Sequence, residues 1–140
     1  MTTIAVIQCT NADLYSSRNP DDYCISPLKK SGIFDKIVLA VPEQEKSNIF
    51  EELVELWDVE LFYGSNYNVA ERLYDATKKF NPDIVIRVLL KRFYIDLDLV
   101  TEMIKKIQDG YDYVKLDYDI NYEVAADVTS FNALKLVVNL

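Results

Sequence analysis

Three runs of aliphatic residues, at 3–8 (TIAVIQ), 36–41 (KIVLAV) and 83–90 (DIVIRVLL), constrain what this chain can fold into more than any other feature. Each is apolar at consecutive rather than alternate positions and rich in β-branched side chains, so each predicts a strand buried on both faces. Such strands need helices above and below them. Between residues 44 and 57, Ile49, Phe50, Leu53, Val54, Leu56 and Trp57 fall on one face of a predicted helix, opposite Glu51, Glu52 and Glu55. A third strand at 60–63 (ELFY) closes at Gly64-Ser65. Asn68 then caps a helix with Glu71 three residues on, and Val69, Leu73, Ala76 and Phe80 supply its buried stripe.

Asn81-Pro82 stops that helix before the longest strand. Asp96 or Asp98 caps the next helix, whose Leu99, Val100, Met103, Ile104 and Ile107 recur at three- and four-residue spacing until Gly110. A strand at 111–116 (YDYVKL), one around 124–128, and an apolar segment at 131–140 (FNALKLVVNL) complete the chain. Strands alternating with helices predict a three-layer α/β/α sandwich with a mainly parallel sheet, formed by residues 1–140 as a single domain. In such sheets ligands bind beyond the carboxyl ends of the strands. The segments 9–20, 64–68 and 89–94 are therefore where function is expected.

Composition narrows the chemistry. The chain has no histidine and only Cys9 and Cys24, so a zinc cluster, a Cys/His dyad and a Ser/His/Asp triad all lack parts. A net charge of -8 disfavours nucleic acid as a partner, because phosphate binding needs clustered Lys and Arg. Apolar runs fall short of a membrane span, and Met1-Thr2-Thr3 leads directly into a strand, so a cytoplasmic protein is expected.

At the three loops the sequence resembles the spore-coat-polysaccharide and acylneuraminate cytidylyltransferase family, which has a GT-A-like nucleotide-diphospho-sugar transferase fold. The family opens I-I-Q-A-R-x-G-S-[ST]-R-L-P-G-K; here Val6-Ile7-Gln8 is followed by Ser16-Ser17-Arg18-Asn19-Pro20 and then Asp21-Asp22. The family segment G-S-x-x-[DN]-V-L-x-R-[YF] matches Gly64-Ser65-Asn66-Tyr67-Asn68-Val69-Ala70-Glu71-Arg72-Leu73 without a gap. The segment V-R-[IL]-T-G-D-x-P-L-[IV]-D aligns with Ile86-Arg87-Val88-Leu89-Leu90-Lys91-Arg92-Phe93-Tyr94-Ile95-Asp96, and G-Y-D-Y-V recurs as Gly110 to Val114.

The resemblance implies a nucleotide or nucleotide sugar held by Gln8, Arg18, Ser65, Arg87 and Lys91, in surface or spore-coat polysaccharide assembly. It also implies losses. Lys91 stands where the family places a Mg²⁺-binding aspartate, Asp22 where it places a triphosphate-binding lysine, and the first crossover is short. A weakly active or inactive nucleotidyltransferase is expected, with no cofactor and with Mg²⁺ poorly provided for. A metal-independent glycosyltransferase or nucleotide-sugar binding module, and a non-catalytic interaction domain, are the alternatives.

Several residues admit two readings. Lys91, together with Arg18, Arg87 and Arg92, either supplies the charge that magnesium would have brought or pairs with Asp21 or Asp22. Asp117-Tyr118-Asp119 spells a D-x-D, yet Asp96-Leu97-Asp98 does too and reads as a helix cap. Asp127 is similar to a later acidic position of the family that helps hold metal or sugar, or is a surface carboxylate. Tyr111, Tyr113, Tyr118 and Tyr122 form either a stacking wall or half-buried sheet positions. The apolar C-terminal segment is expected to offer a surface to a second copy or a partner subunit.

Overall fold

A computed structural model describes residues 1–15, 18–91, 95–115 and 126–140. Strands β1 (Thr3–Gln8), β2 (Lys36–Pro42), β3 (Glu60–Gly64), β4 (Ile84–Leu89), β5 (Tyr113–Val114) and β6 (Asp127–Ser130) form one sheet in the order β3-β2-β1-β4-β6-β5. The first four run parallel. β6 is antiparallel to both β4 and β5. The predicted α/β sandwich with a mainly parallel sheet is therefore the observed one. β1 lies at the centre with all six residues buried, as its unbroken apolar run requires.

Alternation along the strands separates two cores. Ala5, Ile7, Leu39, Val41, Ile86 and Val88 face one layer, which packs with Phe50 and Trp57 of helix α2 (Asn48–Trp57) and Val100, Met103 and Ile104 of α4 (Leu97–Gln108). The short helix α1 (Ser26–Lys30) adds Leu28 to the same core. Ile4, Val6, Val38, Ala40 and Val85 face the other layer, against Leu73 and Ala76 of α3 (Val69–Thr77) and Phe131 and Leu134 of α5 (Phe131–Val138).

The caps settle the helix starts. Asn68 accepts from Glu71 N at 3.0 Å, and of the two aspartates offered for α4 it is Asp96 that caps, accepting from Leu99 N at 3.0 Å. Helix α2 starts at Asn48 rather than at the expected residue 44, because Ser47 caps it after a 3₁₀ turn at Glu43–Glu45. Ile49 and Leu56 prove exposed on it, and Val69 is partly exposed on α3, so those three positions are not core. The C-terminal apolar segment folds as α5, with Phe131 stacked on Tyr74 at 5.5 Å, while Leu136, Val137 and Leu140 stay exposed. Among the described residues no helix is long and apolar enough to cross a membrane.

Candidate functional site

The carboxyl ends of the parallel strands converge on one edge, where side chains tie the loops together. Asn11 N, after β1, donates to Glu45 Oε1 at 2.8 Å beyond β2. Gln44 N donates to Asn66 Oδ1 at 2.7 Å beyond β3. Three loops are thus fixed relative to one another without a regular ladder. Between them and the end of β4 lies a cavity of about 170 Å³ bordered by Gln8, Cys9, Thr10, Asp13, Arg72, Leu89 and Lys91.

Arg72 is the buried cation of this edge, 6% exposed. Its Nε donates to Ser65 O at 2.8 Å, and its stem crosses the backbone at Gly64, where an added Cβ would lie 2.9 Å from Arg72 Cγ and 2.6 Å from Phe62 Cε1. Gly64 is therefore required for close approach. Burial pulls the Arg72 guanidinium below its ordinary value, nearby Glu45 opposes this and Arg87 adds to it. Arg72 is not among the residues expected from sequence to hold a ligand, although it lies within the matched segment and on the inner face of α3 between Val69 and Ala76. A charge on a buried helix face was the available signal.

The predicted site residues come together in two ways. Gln8 and Lys91 border the cavity directly, Lys91 exposed at its rim. Arg87, Ser65 and Arg18 reach the same edge through neighbours. Arg87 Nε donates to Gln8 Oε1 at 2.8 Å, and its other arm pairs with Asp127 Oδ2 at 2.7 Å. Ser65 is occupied in starting α3, its Oγ accepting from Asn68 N at 3.1 Å while its carbonyl takes Arg72. Arg18 lies 5.7 Å from the ring centre of Tyr23, whose hydroxyl donates to Leu90 O at 2.8 Å. Among the described residues no ion pair joins Lys91 to Asp21 or Asp22.

The carboxylates nearby have partners of their own. Asp13 Oδ2 accepts from Thr10 N at 2.9 Å and from Thr10 Oγ1 at 3.2 Å, and Asp127 is committed to Arg87. Partial burial, with the charge and a hydrogen bond of Asp127, raises the phenol of the half-exposed Tyr113. Burial also pushes the Cys9 thiol far up and Cys24 to about 12, so both cysteines are neutral thiols rather than nucleophiles. Arg92, Asp117, Tyr118, Asp119 and Tyr122, with Ser16 and Ser17, lie outside the described residues. Tyr111 and Tyr113 are exposed at the sheet edge.

Known proteins resemble this chain in sequence and in fold. Residues 22–139 match the family model described as Cytidylyltransferase. An uncharacterized protein of Methanocaldococcus jannaschii is 28% identical over 109 residues, covering 77% of this chain and 44% of the relative, so the chain spans less than half of that protein's length. A cytidylyltransferase from Leptospira borgpetersenii serovar Hardjo-bovis superposes with a TM-score of 0.79 at 16% identity, over 99% of this chain and 63% of that one. A CMP:2-keto-3-deoxy-manno-octonic acid synthetase complexed with CTP superposes with a TM-score of 0.72 at 12% identity, over 100% of this chain and 78% of that one. At those identities the structures share the fold.

Proposed function

Since this chain belongs to the cytidylyltransferase family, we propose that the cavity beyond β1 and β4 binds a cytidine nucleotide or nucleotide sugar and transfers it weakly or not at all. The observation that carries this reading is Lys91. It stands exposed at the cavity rim, at the position where the family resemblance places a metal-binding aspartate. A lysine there attracts nucleotide phosphates by itself and repels the cation that would otherwise bridge them. Magnesium demands several hard oxygen ligands, and among the described residues Asp13, Glu45 and Asp127 are engaged with Thr10, Asn11 and Arg87 while no three acidic side chains gather as a metal site. The donor set does not fit the ion.

The ligand's sugar portion belongs, on this reading, to the acidic sugars of surface or spore-coat polysaccharide. The sequence resemblance to the spore-coat and acylneuraminate enzymes supports it, as does the fold shared with a synthetase whose name specifies 2-keto-3-deoxy-manno-octonic acid. Calorimetric titration with CTP, with and without Mg²⁺, tests the proposal when run beside a pyrophosphate-release assay. Metal-independent binding with little release is expected, and Lys91→Ala should weaken it roughly tenfold, the worth of one charge-assisted hydrogen bond. Rapid Mg²⁺-dependent release of pyrophosphate, or no binding by the wild type, overturns it.

A further inference from the structure

Helix α5 carries more apolar surface than the core of its own chain uses. Phe131, Leu134 and Val138 pack inward, against the sheet and α3. Ala133, Leu136, Val137 and Leu140 follow at i, i+3, i+4 and i+7, which is the spacing of a second stripe on the same helix. Leu136 is 71% exposed, Val137 56% and Leu140 101%. Only Asn132, Lys135 and Asn139 remain for a polar strip, so the helix is apolar round most of its circumference. That is the pattern of a helix covered on two sides, and the chain itself covers one.

Beside the second stripe lies a hole. A cavity of about 350 Å³ is lined by Val69 and Leu73 of α3 and Leu134 and Val137 of α5, with Arg87 and Asp127 at its sheet side. Two observations select a second copy of this chain as the occupant. The exposed leucines and the apolar cavity stand on one surface, so a half-turn can bring the leucines of each copy to the cavity of the other, as a two-fold contact requires. Charge selects the same face. A chain of net charge -8 repels its own copies wherever carboxylates meet, but α5 has no acidic side chain, and the one carboxylate on the cavity, Asp127, is paired with Arg87 at 2.7 Å. We propose that the chain forms a two-fold dimer through α5, with Leu136 and Leu140 of one copy seated in the α3–α5 cavity of the other. One short helix and a cavity rim make a contact at the small end of specific interfaces, below about 1,200 Å² in total, so association in the micromolar range is expected.

Sedimentation velocity of the chain, from low to high micromolar concentration, is the test. The weight-average mass should climb from one chain to two and stop there. Leu136→Glu and Val137→Glu each place a carboxylate on the stripe at a position already open to water, so both variants should fold, which a thermal melt checks. Each should weaken dimerisation at least roughly tenfold. Leu56→Glu, at an equally exposed leucine of α2, is the control and should dimerise as the wild type does. A wild type that stays monomeric at the highest concentration overturns the inference, as it does if that monomer saturably binds an apolar dye, because the cavity would then serve a small ligand. A dimer that both α5 variants leave intact overturns it by placing the contact elsewhere. A mass that grows past two chains also overturns it, since only a head-to-tail contact adds copies without closing.

Discussion

Replacing Arg72 with methionine separates what this buried cation does for the fold from what its stem does. Methionine keeps the unbranched carbons that cross Gly64 but removes the guanidinium, so the chief loss is the bond from Nε to Ser65 O at 2.8 Å. A hydrogen bond from a charged donor contributes about 1.5–3 kcal/mol. The second contact, from the guanidinium to Asn66 O at 3.5 Å, is at the limit of bonding distance and adds little. Against this stands the desolvation of the guanidinium, which the depressed pKa of Arg72 reports and which methionine relieves. The balance is a net loss of about 1–2 kcal/mol, or roughly 2–8 °C in Tm for a chain of this size. Thermal and urea unfolding measure it, with Arg72→Ala expected to lose more because the stem is lost as well. A methionine variant that melts within about 1 °C of wild type refutes the claim that Arg72 fastens the β3–α3 loop.

Gly64→Ala should destabilise by about 1–3 kcal/mol, because its new methyl overlaps Phe62 and Arg72, and an unchanged urea midpoint would deny that close approach. Alkaline unfolding tests Tyr23. Its phenol is raised to about 12 from 10.0, mainly by burial, so the folded chain keeps a proton that the unfolded chain releases. That contribution is whole below pH 10.0 and is lost as pH rises towards about 12; a Tyr23→Phe variant with the same alkaline slope as wild type would contradict it. Cys9 and Cys24 are 1% and 0% exposed with raised pKa values, so a thiol reagent should modify both only at the rate of unfolding, and rapid labelling of the native chain would exclude this packing.

The parallel strands were legible from their apolar runs, whereas β5 and β6 are short and fall at Tyr113–Val114 and Asp127–Ser130 rather than at 111–116 and around 124–128. β1 matched its predicted bounds, and β2, β3 and β4 differed only at their ends. Periodicity overcounted where a helix lies across the sheet on a narrow stripe: Ile49 and Leu56 share the apolar pattern of α2 but project past its contact. The C-terminal apolar segment gave no helix signal beyond its composition, although Ser130 caps it by accepting from Ala133 N at 3.1 Å.

The residues of the candidate site are visible in the sequence one by one and not as a network. Gln8, Arg87 and Asp127 could each be picked out along the chain, but their connection depends on strand register, which pairs Arg87 with Val6 on one side and Asp127 on the other. No local pattern encodes that register across 79 and 40 residues of separation. Arg72 was hidden for the opposite reason, since a purely apolar reading of α3 leaves no place for it.

The central claim is that a cytidine nucleotide occupies the cavity beyond β1 and β4, and chemical-shift mapping of the isotopically labelled chain during CTP titration tests it most directly. The account predicts saturable shifts centred on Gln8, Thr10, Leu89 and Lys91, unaltered by adding or chelating Mg²⁺. A second cavity of about 350 Å³ shares Arg87 and Asp127 with this edge, so only its apolar lining, Leu73, Leu134 and Val137, provides the internal control. Shifts confined to that apolar lining, or none at either place, would contradict the account.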